Sequence, residues 1–303
     1  MHLDHLDGIR RPRRRGPCVI HCKSPRPRLE AGARTTAAIA ALSVALSGVG
    51  PRWERPPGGA GFDYQIGGDY RLAPGVSVVS RDWFAGRDAR GDRYTICYVN
   101  AFQTQDDERG VDRPDERSNW PRWLVLFSLG SDPNWGGEYL IDLRSPAKRA
   151  AALRHVRPMV DRCATKGFEA VEYDNLDSWT RFDGTPLAGD VPFGRRAAVA
   201  YAELLTDYAH RRGLAVAQKN TLELGRRTAR SRIGFDFAIA EECGRYRECR
   251  GYTAIYGDHV IDIEYGRRGF RAACAAVGRR VAVVLRDRDV STPASARYRY
   301  RSC

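Results

Sequence analysis

The chain has 303 residues, 43% hydrophobic and 29% charged, which is apolar material for one large domain or two small ones and excludes a collagen-like or wholly disordered chain. Its formal net charge of +13 is concentrated at one end: residues 1–55 hold eleven Lys or Arg against four Asp or Glu, leaving about +6 for the rest. That remainder is too small to select a polyanion, so no nucleic-acid partner is expected.

Residues 1–34, where Arg10, Arg11, Arg13, Arg14 and Arg15 lie among prolines, have no hydrophobic period and read as a disordered basic extension. Residues 35–50, TTAAIAALSVALSGVG, follow Arg26, Arg28 and Arg34 and have the charged flank and short apolar core of a secretory signal. They are too short for a comfortable membrane span, so export without stable membrane insertion is expected. A Pro- and Gly-rich linker occupies 51–61.

From residue 62 onward eight short apolar runs end in polar residues: FDYQIG (62–67), VSVVSRD (76–82), YTICYVNAF (94–102), FEAVEYDN (168–175), LAVAQKN (214–220), FDFAIAEEC (235–243), HVIDIEY (259–265) and RVAVVLRD (280–287). Between several of them lie stretches with helical spacing, such as 146–167 and 195–213, each closing on basic residues and a glycine. This alternation predicts an α/β fold, a single (β/α)8 barrel over 62–303, with an open doubly wound sheet as the alternative. No glycine-rich phosphate loop follows the first run, which argues against a nucleotide-binding sheet and for the absence of an organic cofactor.

Cys18 and Cys22 precede the signal-like segment, leaving Cys97, Cys163, Cys243, Cys249, Cys274 and Cys303, an even number that suggests three disulfides in an exported chain. The Cys243–Cys249 spacing suits a local loop, while the other four leave several pairings open. No metal site is expected, because this region has no C-x-x-C pair and the histidines, at 2, 5, 21, 155, 210 and 259, are scattered.

In a barrel the chemistry sits at the C-terminal ends of the strands, and here those ends carry Gln65, Arg81, Asp82, Tyr98, Asn100, Glu172, Asp174, Asn175, Lys219, Asn220, Glu241, Glu242, Glu264, Tyr265, Arg286 and Asp287. A buried carboxylate costs several kcal/mol unless paired, so this clustering points to a site rather than a scaffold. Side chains alternate along a strand, which places Glu172 and Asp174 inward with Ala170, and Lys219 inward with Ala215 and Ala217. On the same premise, that small residues face inward, Glu242 joins Ala238 and Ala240 inside and Glu241 faces out. Two carboxylates from different strands are what glycosidic cleavage requires, and Trp83, Tyr98, Trp120, Trp135, Trp179 and Tyr265 could stack on sugar faces.

The motifs ICYVNAF, GGEYLIDLR, GFEAVEYDN, AHRRGLAVAQKN, FDFAIAEEC with YREC, and VIDIEY, in this order over roughly 62–290, resemble glycoside hydrolase family 114, the endo-α-1,4-polygalactosaminidase-like barrels. The resemblance implies Asp174 and Glu241 as the catalytic pair, against the alternation argument for Glu242. It also implies Lys219, Asn220, Glu264 and Tyr265 as subsite residues, with Glu242 as a substrate contact, and an amino-sugar polysaccharide as the partner; the strand-end reading adds Asp82, Tyr98, Glu172 and Asn175 to the substrate-binding set. The chain departs from the family pattern at YVNAFQTQ and QKN, which bears on the exact sugar. A non-catalytic carbohydrate-binding barrel is the competing reading.

Overall fold

The structure, a computed structural model, describes residues 53–87, 91–105 and 120–303; the basic extension and the signal-like segment lie outside the described residues. All eight apolar runs form strands: β1 (Gly61–Gln65), β2 (Val76–Asp82), β3 (Tyr94–Val99), β4 (Ala170–Tyr173), β5 (Ala215–Lys219), β6 (Phe237–Glu241), β7 (Val260–Glu264) and β8 (Ala282–Arg286). They pair in sequence order and every one of these ladders is parallel, as in a (β/α)8 barrel. Parallel neighbours need crossovers, and helices supply four of them: α1 (Pro146–Thr165), α2 (Arg195–Arg211), the short α3 (Cys243–Tyr246) with α4 (Cys249–Tyr256), and α5 (Arg267–Val277). A π-helical stretch, Arg227–Ile233, connects β5 to β6.

A ninth strand, β9 (Tyr300–Ser302), was not legible in the sequence. Three residues with no apolar run form a strand only because β8 offers an edge, and the pairing is antiparallel. Side chains draw β1 to this edge. The buried Arg286 guanidinium donates to Asp63 Oδ1 at 2.9 Å and to the Tyr64 carbonyl, and Tyr300 Oη donates to the Phe62 carbonyl at 3.0 Å.

Side-chain alternation divides the core into two layers. Phe62, Tyr64, Val78, Ile96, Ala170, Ala215, Ala217, Phe237, Ile239, Ile261, Ile263 and Val284 fill the barrel interior. Their neighbours, among them Val99, Val171, Val216, Ala238 and Ala240, pack outward against the helices. The interior mixes bulk from β1, β6 and β7 with alanines from β4 and β5, so small size alone does not mark an inward position. Residues 53–60, expected as part of a linker, instead pack on the barrel. Trp53 stacks on His210 at 3.7 Å and donates to Asp236, and the Pro56 carbonyl meets His259 Nδ1 at 2.8 Å.

Among the described residues three disulfides tie the layers: Cys97–Cys163 joins β3 to α1, Cys243–Cys249 joins α3 to α4, and Cys274–Cys303 joins α5 to the segment after β9. The first spans 66 residues of chain, a closure that removes about 4 kcal/mol of unfolded-state freedom.

Candidate active site

The strand ends meet at the mouth of the barrel around one buried cation. Lys219, at the end of β5 with its side chain 1% exposed, lies 2.9 Å from Glu172, 3.2 Å from Asp174 and 3.7 Å from Glu241. An ammonium removed from water is tolerated only when such charges surround it. Burial alone would lower its pKa, but the three carboxylates hold it well above the ordinary value, so it stays charged. Tyr64 and Tyr98 add ring faces at 5.5 and 5.8 Å.

Glu172 belongs to the floor of this site. It accepts from Tyr64 Oη and from Ser80 Oγ, each at 2.9 Å, and is fully buried. Asp174 and Glu241 stand above it and line an open cleft, their side chains 18% and 26% exposed. Asp174 accepts from Tyr98 Oη at 2.7 Å and from the Asn175 amide at 2.7 Å. Burial would raise its pKa, yet Lys219, Tyr98 and that amide outweigh burial and hold the carboxyl below its usual range. Glu241 accepts from Asn220 Nδ2 at 3.0 Å and from Tyr265 Oη. Burial and the neighbouring carboxylates push Tyr98 and Tyr265 well above the usual phenol range, so both remain donors.

Both carboxylates touch one Lys219 nitrogen, so their facing oxygens are no more than about 7 Å apart, the two contacts laid end to end. The backbone fixes them with abrupt turns. Asn175, Asn220, Thr221 and Glu242, immediately after β4, β5 and β6, all have positive φ, between 46° and 61°. A left-handed residue turns the chain away at once and leaves the strand's last side chain in the mouth; Asn accepts this conformation far more readily than Glu.

The structure brings Tyr98, Asp174, Asn175, Asn220, Glu241 and Tyr265 to the cleft wall, and Lys219 and Glu172 directly beneath. Asp82 sits one step back, accepting from Gln105 Nε2 at 2.9 Å, and Gln105 reaches the cleft. Two expected residues are not brought there. Glu241, not Glu242, continues the inward row of Phe237 and Ile239, so the alternation argument had β6 reversed: Ala238 and Ala240 are small because helices pack on them. Glu242 turns aside into a pair of hydrogen bonds with Arg245, each 2.8 Å. Glu264 lies on the outer face of β7, opposite Ile261 and Ile263, and binds the Gly244 amide at 2.6 Å.

Of the aromatic residues beyond strand ends, Trp135 lines the cleft, with the Arg288 guanidinium 5.2 Å over its ring. Trp83 and Trp120 are buried in the outer layer. Among the cleft residues that sequence reasoning missed is Glu138, which accepts from Asn100 Nδ2 at 3.1 Å; Asn100 in turn accepts from Asn175 at 3.0 Å. Burial and the charge of Asp174 push Glu138 up to about 8. Its only sequence signal was membership of the GGEYLIDLR motif, which lies on no strand. Arg181, also in the wall, spans Asn175, Asp177 and Asp132. Cys243, Cys249 and Asp262 are the one cluster of metal-ligand type among the described residues, but its two sulfurs are bonded to each other.

Residues 45–303 match the model of glycoside-hydrolase family GH114. Among solved structures, the chain is similar to Ega3 of Aspergillus fumigatus in complex with galactosamine, with TM-score 0.65 and 18% identity over 83% of this chain and 98% of that one. It is also similar to the glycoside hydrolase domain of PelA from Pseudomonas aeruginosa, with TM-score 0.51 and 13% identity over 77% of this chain and 96% of that one. At these identities the likeness is one of fold. No curated protein sequence is a match.

Proposed function

The chain belongs to glycoside hydrolase family GH114, and from that premise we propose that it is an exported, endo-acting hydrolase of α-1,4-linked, galactosamine-containing polysaccharide. The observation that carries the reading is the pair Asp174 and Glu241 in an open cleft, spaced by one buried lysine. Asp174, kept ionised, attacks the anomeric carbon. Glu241, the more exposed and the farther from Lys219, gives a proton to the departing glycosidic oxygen. A water then gives its proton to Glu241 and displaces Asp174, restoring both groups. A carboxyl spacing of no more than about 7 Å supports this double displacement over the widest spacings used for direct attack by water.

Charge in the cleft supports an amino sugar. Asp174, Asp177 and Asp289 line it as acceptors for an ammonium or hydroxyl groups, with Arg181 and Arg288 opposite and Glu138, raised to about 8, a neutral donor beside them. The solved relative in complex with galactosamine fits this chemistry. Export is supported by the three disulfides.

The test is to incubate the full chain with partly deacetylated α-1,4-galactosamine polymer, beside Asp174→Asn and Glu241→Gln, and to analyse products by mass spectrometry and anomeric NMR. Internal oligosaccharides from the parent alone, released with retained configuration, are expected. Equal amounts of product from Asp174→Asn would remove the mechanism, and polymer that is bound but never cut would favour a binding barrel.

A further inference from the structure

On the outer face of β7, behind Glu241, two buried carboxyl groups lie side by side. Asp262 and Glu264, two residues apart on the same face of β7, are both fully buried. Each also accepts from the turn that follows Glu241. Asp262 Oδ1 takes the Cys243 amide at 3.1 Å, and Glu264 Oε1 takes the Gly244 amide at 2.6 Å and the Arg245 amide at 3.3 Å. Their remaining oxygens, Asp262 Oδ2 and Glu264 Oε2, are buried without a hydrogen-bond partner among the described residues. Two ionised carboxyls are acceptors only, and two of them buried on one strand face, each with an oxygen that no donor reaches, do not both ionise. The fit leaves little room: a methyl group on Gly269 would lie 2.0 Å from Glu264 Oε2.

We propose that Asp262 and Glu264 share a single proton and together act as the positioning pair for Glu241, by anchoring the backbone of Glu242 to Arg245 from behind. The inference rests on the reading of Glu241 as a catalytic residue. The turn needs such an anchor because Glu242 is left-handed at φ 58°, a conformation costly for this residue. The Cys243–Cys249 disulfide and the Glu242 amide bond to the Ile263 carbonyl at 2.8 Å fix its two flanks. The two carboxyls take up the amides in between.

The charged and titratable groups around the pair are Glu241 on the inner face of β6, Glu242 just before α3, Arg245 on α3, Arg247 after it, Tyr252 on α4 and Arg268 on α5. Burial, then Glu264, holds Asp262 protonated far above the usual carboxylate range. The folded pair therefore keeps a proton that the unfolded chain has released. Its contribution is complete below the ordinary carboxylate pKa and is lost as pH rises through the raised value.

Asp262→Asn supplies an amide N–H in place of the shared proton, keeps an acceptor for Cys243, and does not titrate. In the full chain, hydrogen exchange of the amides of Glu242, Cys243, Gly244 and Arg245, corrected for intrinsic rates, is followed against pH together with turnover of the galactosamine polymer. As pH rises the parent is expected to lose protection and Asp262→Asn to retain it, while kcat, which needs a proton on Glu241 in both, falls further in the parent than in the variant, with KM little changed. Asp262→Ala, which leaves Glu264 unpaired, is expected to lose about a hundredfold in kcat at every pH, the cost of a reacting group displaced by about 1 Å. Identical pH courses for the parent and Asp262→Asn in exchange would overturn the proposal. A shift in exchange without any cleavage by the parent would instead remove the functional reading and leave the shared proton standing.

Discussion

Lys219→Met tests the electrostatic centre most directly, because methionine keeps much of the apolar volume and deletes the charge together with the Nζ donors to Glu172 and Tyr64. In the parent one ammonium offsets Glu172, Asp174 and Glu241, of which Glu172 is fully buried. Breaking a buried pair from one side costs about 3–5 kcal/mol, because the partner charge stays behind without compensation. The variant should therefore be destabilised by about that amount at neutral pH. It relieves the penalty by protonating Glu172 and Asp174, so its Asp174 moves from below to above the ordinary value. A depressed carboxyl contributes stability that is present above its unfolded pKa and lost as pH falls; a raised one contributes the reverse. The gap between parent and variant should thus be widest at neutral pH and close as pH falls through about 4, the ordinary carboxylate range. Urea unfolding from pH 3 to 8 reads this, with the slope of each curve checking that the denatured states are comparable. A gap of under about 1 kcal/mol at pH 7, or one that does not narrow in acid, would refute the central role given to the lysine.

Three further outcomes are expected. Glu138→Gln removes a group whose pKa is raised to about 8, so the stability that the parent loses between the ordinary carboxylate range and pH 8 should be retained in the variant, as read by thermal melts against pH. Asp63→Asn deprives the fully buried Arg286 of its carboxylate partner at the β1 edge and should cost about 3–5 kcal/mol by urea unfolding without altering the products formed. Trp135→Ala removes a ring from the cleft wall while leaving both carboxylates in place, and should raise KM for the polymer more than it lowers kcat in steady-state assays.

The eight principal strands were legible because each is an apolar run ending in polar residues, and burial on both faces of a parallel strand demands such a run. Orientation was legible where the reasoning matched the packing. Glu172 and Lys219 face inward as the alternation in β4 and β5 required. In β6 the premise that small residues face inward failed. The alanines of β4 and β5 already leave room in the barrel for Phe237 and Ile239, and the alanines of β6 are small for the helices outside. Glu264 was misplaced by reading its strand-end position without the alternation, which Ile261 and Ile263 would have supplied. Glu138, Arg181 and Arg288 lie on segments without periodicity, where no sequence pattern states which wall of a cleft they reach.

The Cys97–Cys163 bridge also bears on how this scaffold could change. It anchors β3 to α1 below a long excursion that carries Trp135 and Glu138 into the cleft. Lengthening the tip of that excursion costs little, about 0.6 kcal/mol for each doubling of a flexible loop. The stretch between Leu129 and Leu140 is the part open to exchange, because the residues on either side of it, Trp120 to Leu129 and Leu140 to Leu143, are held in the outer core layer. The cross-link makes this wall of the cleft a replaceable part, and changes in the sugar accepted could be engineered there while the carboxylate pair is left untouched.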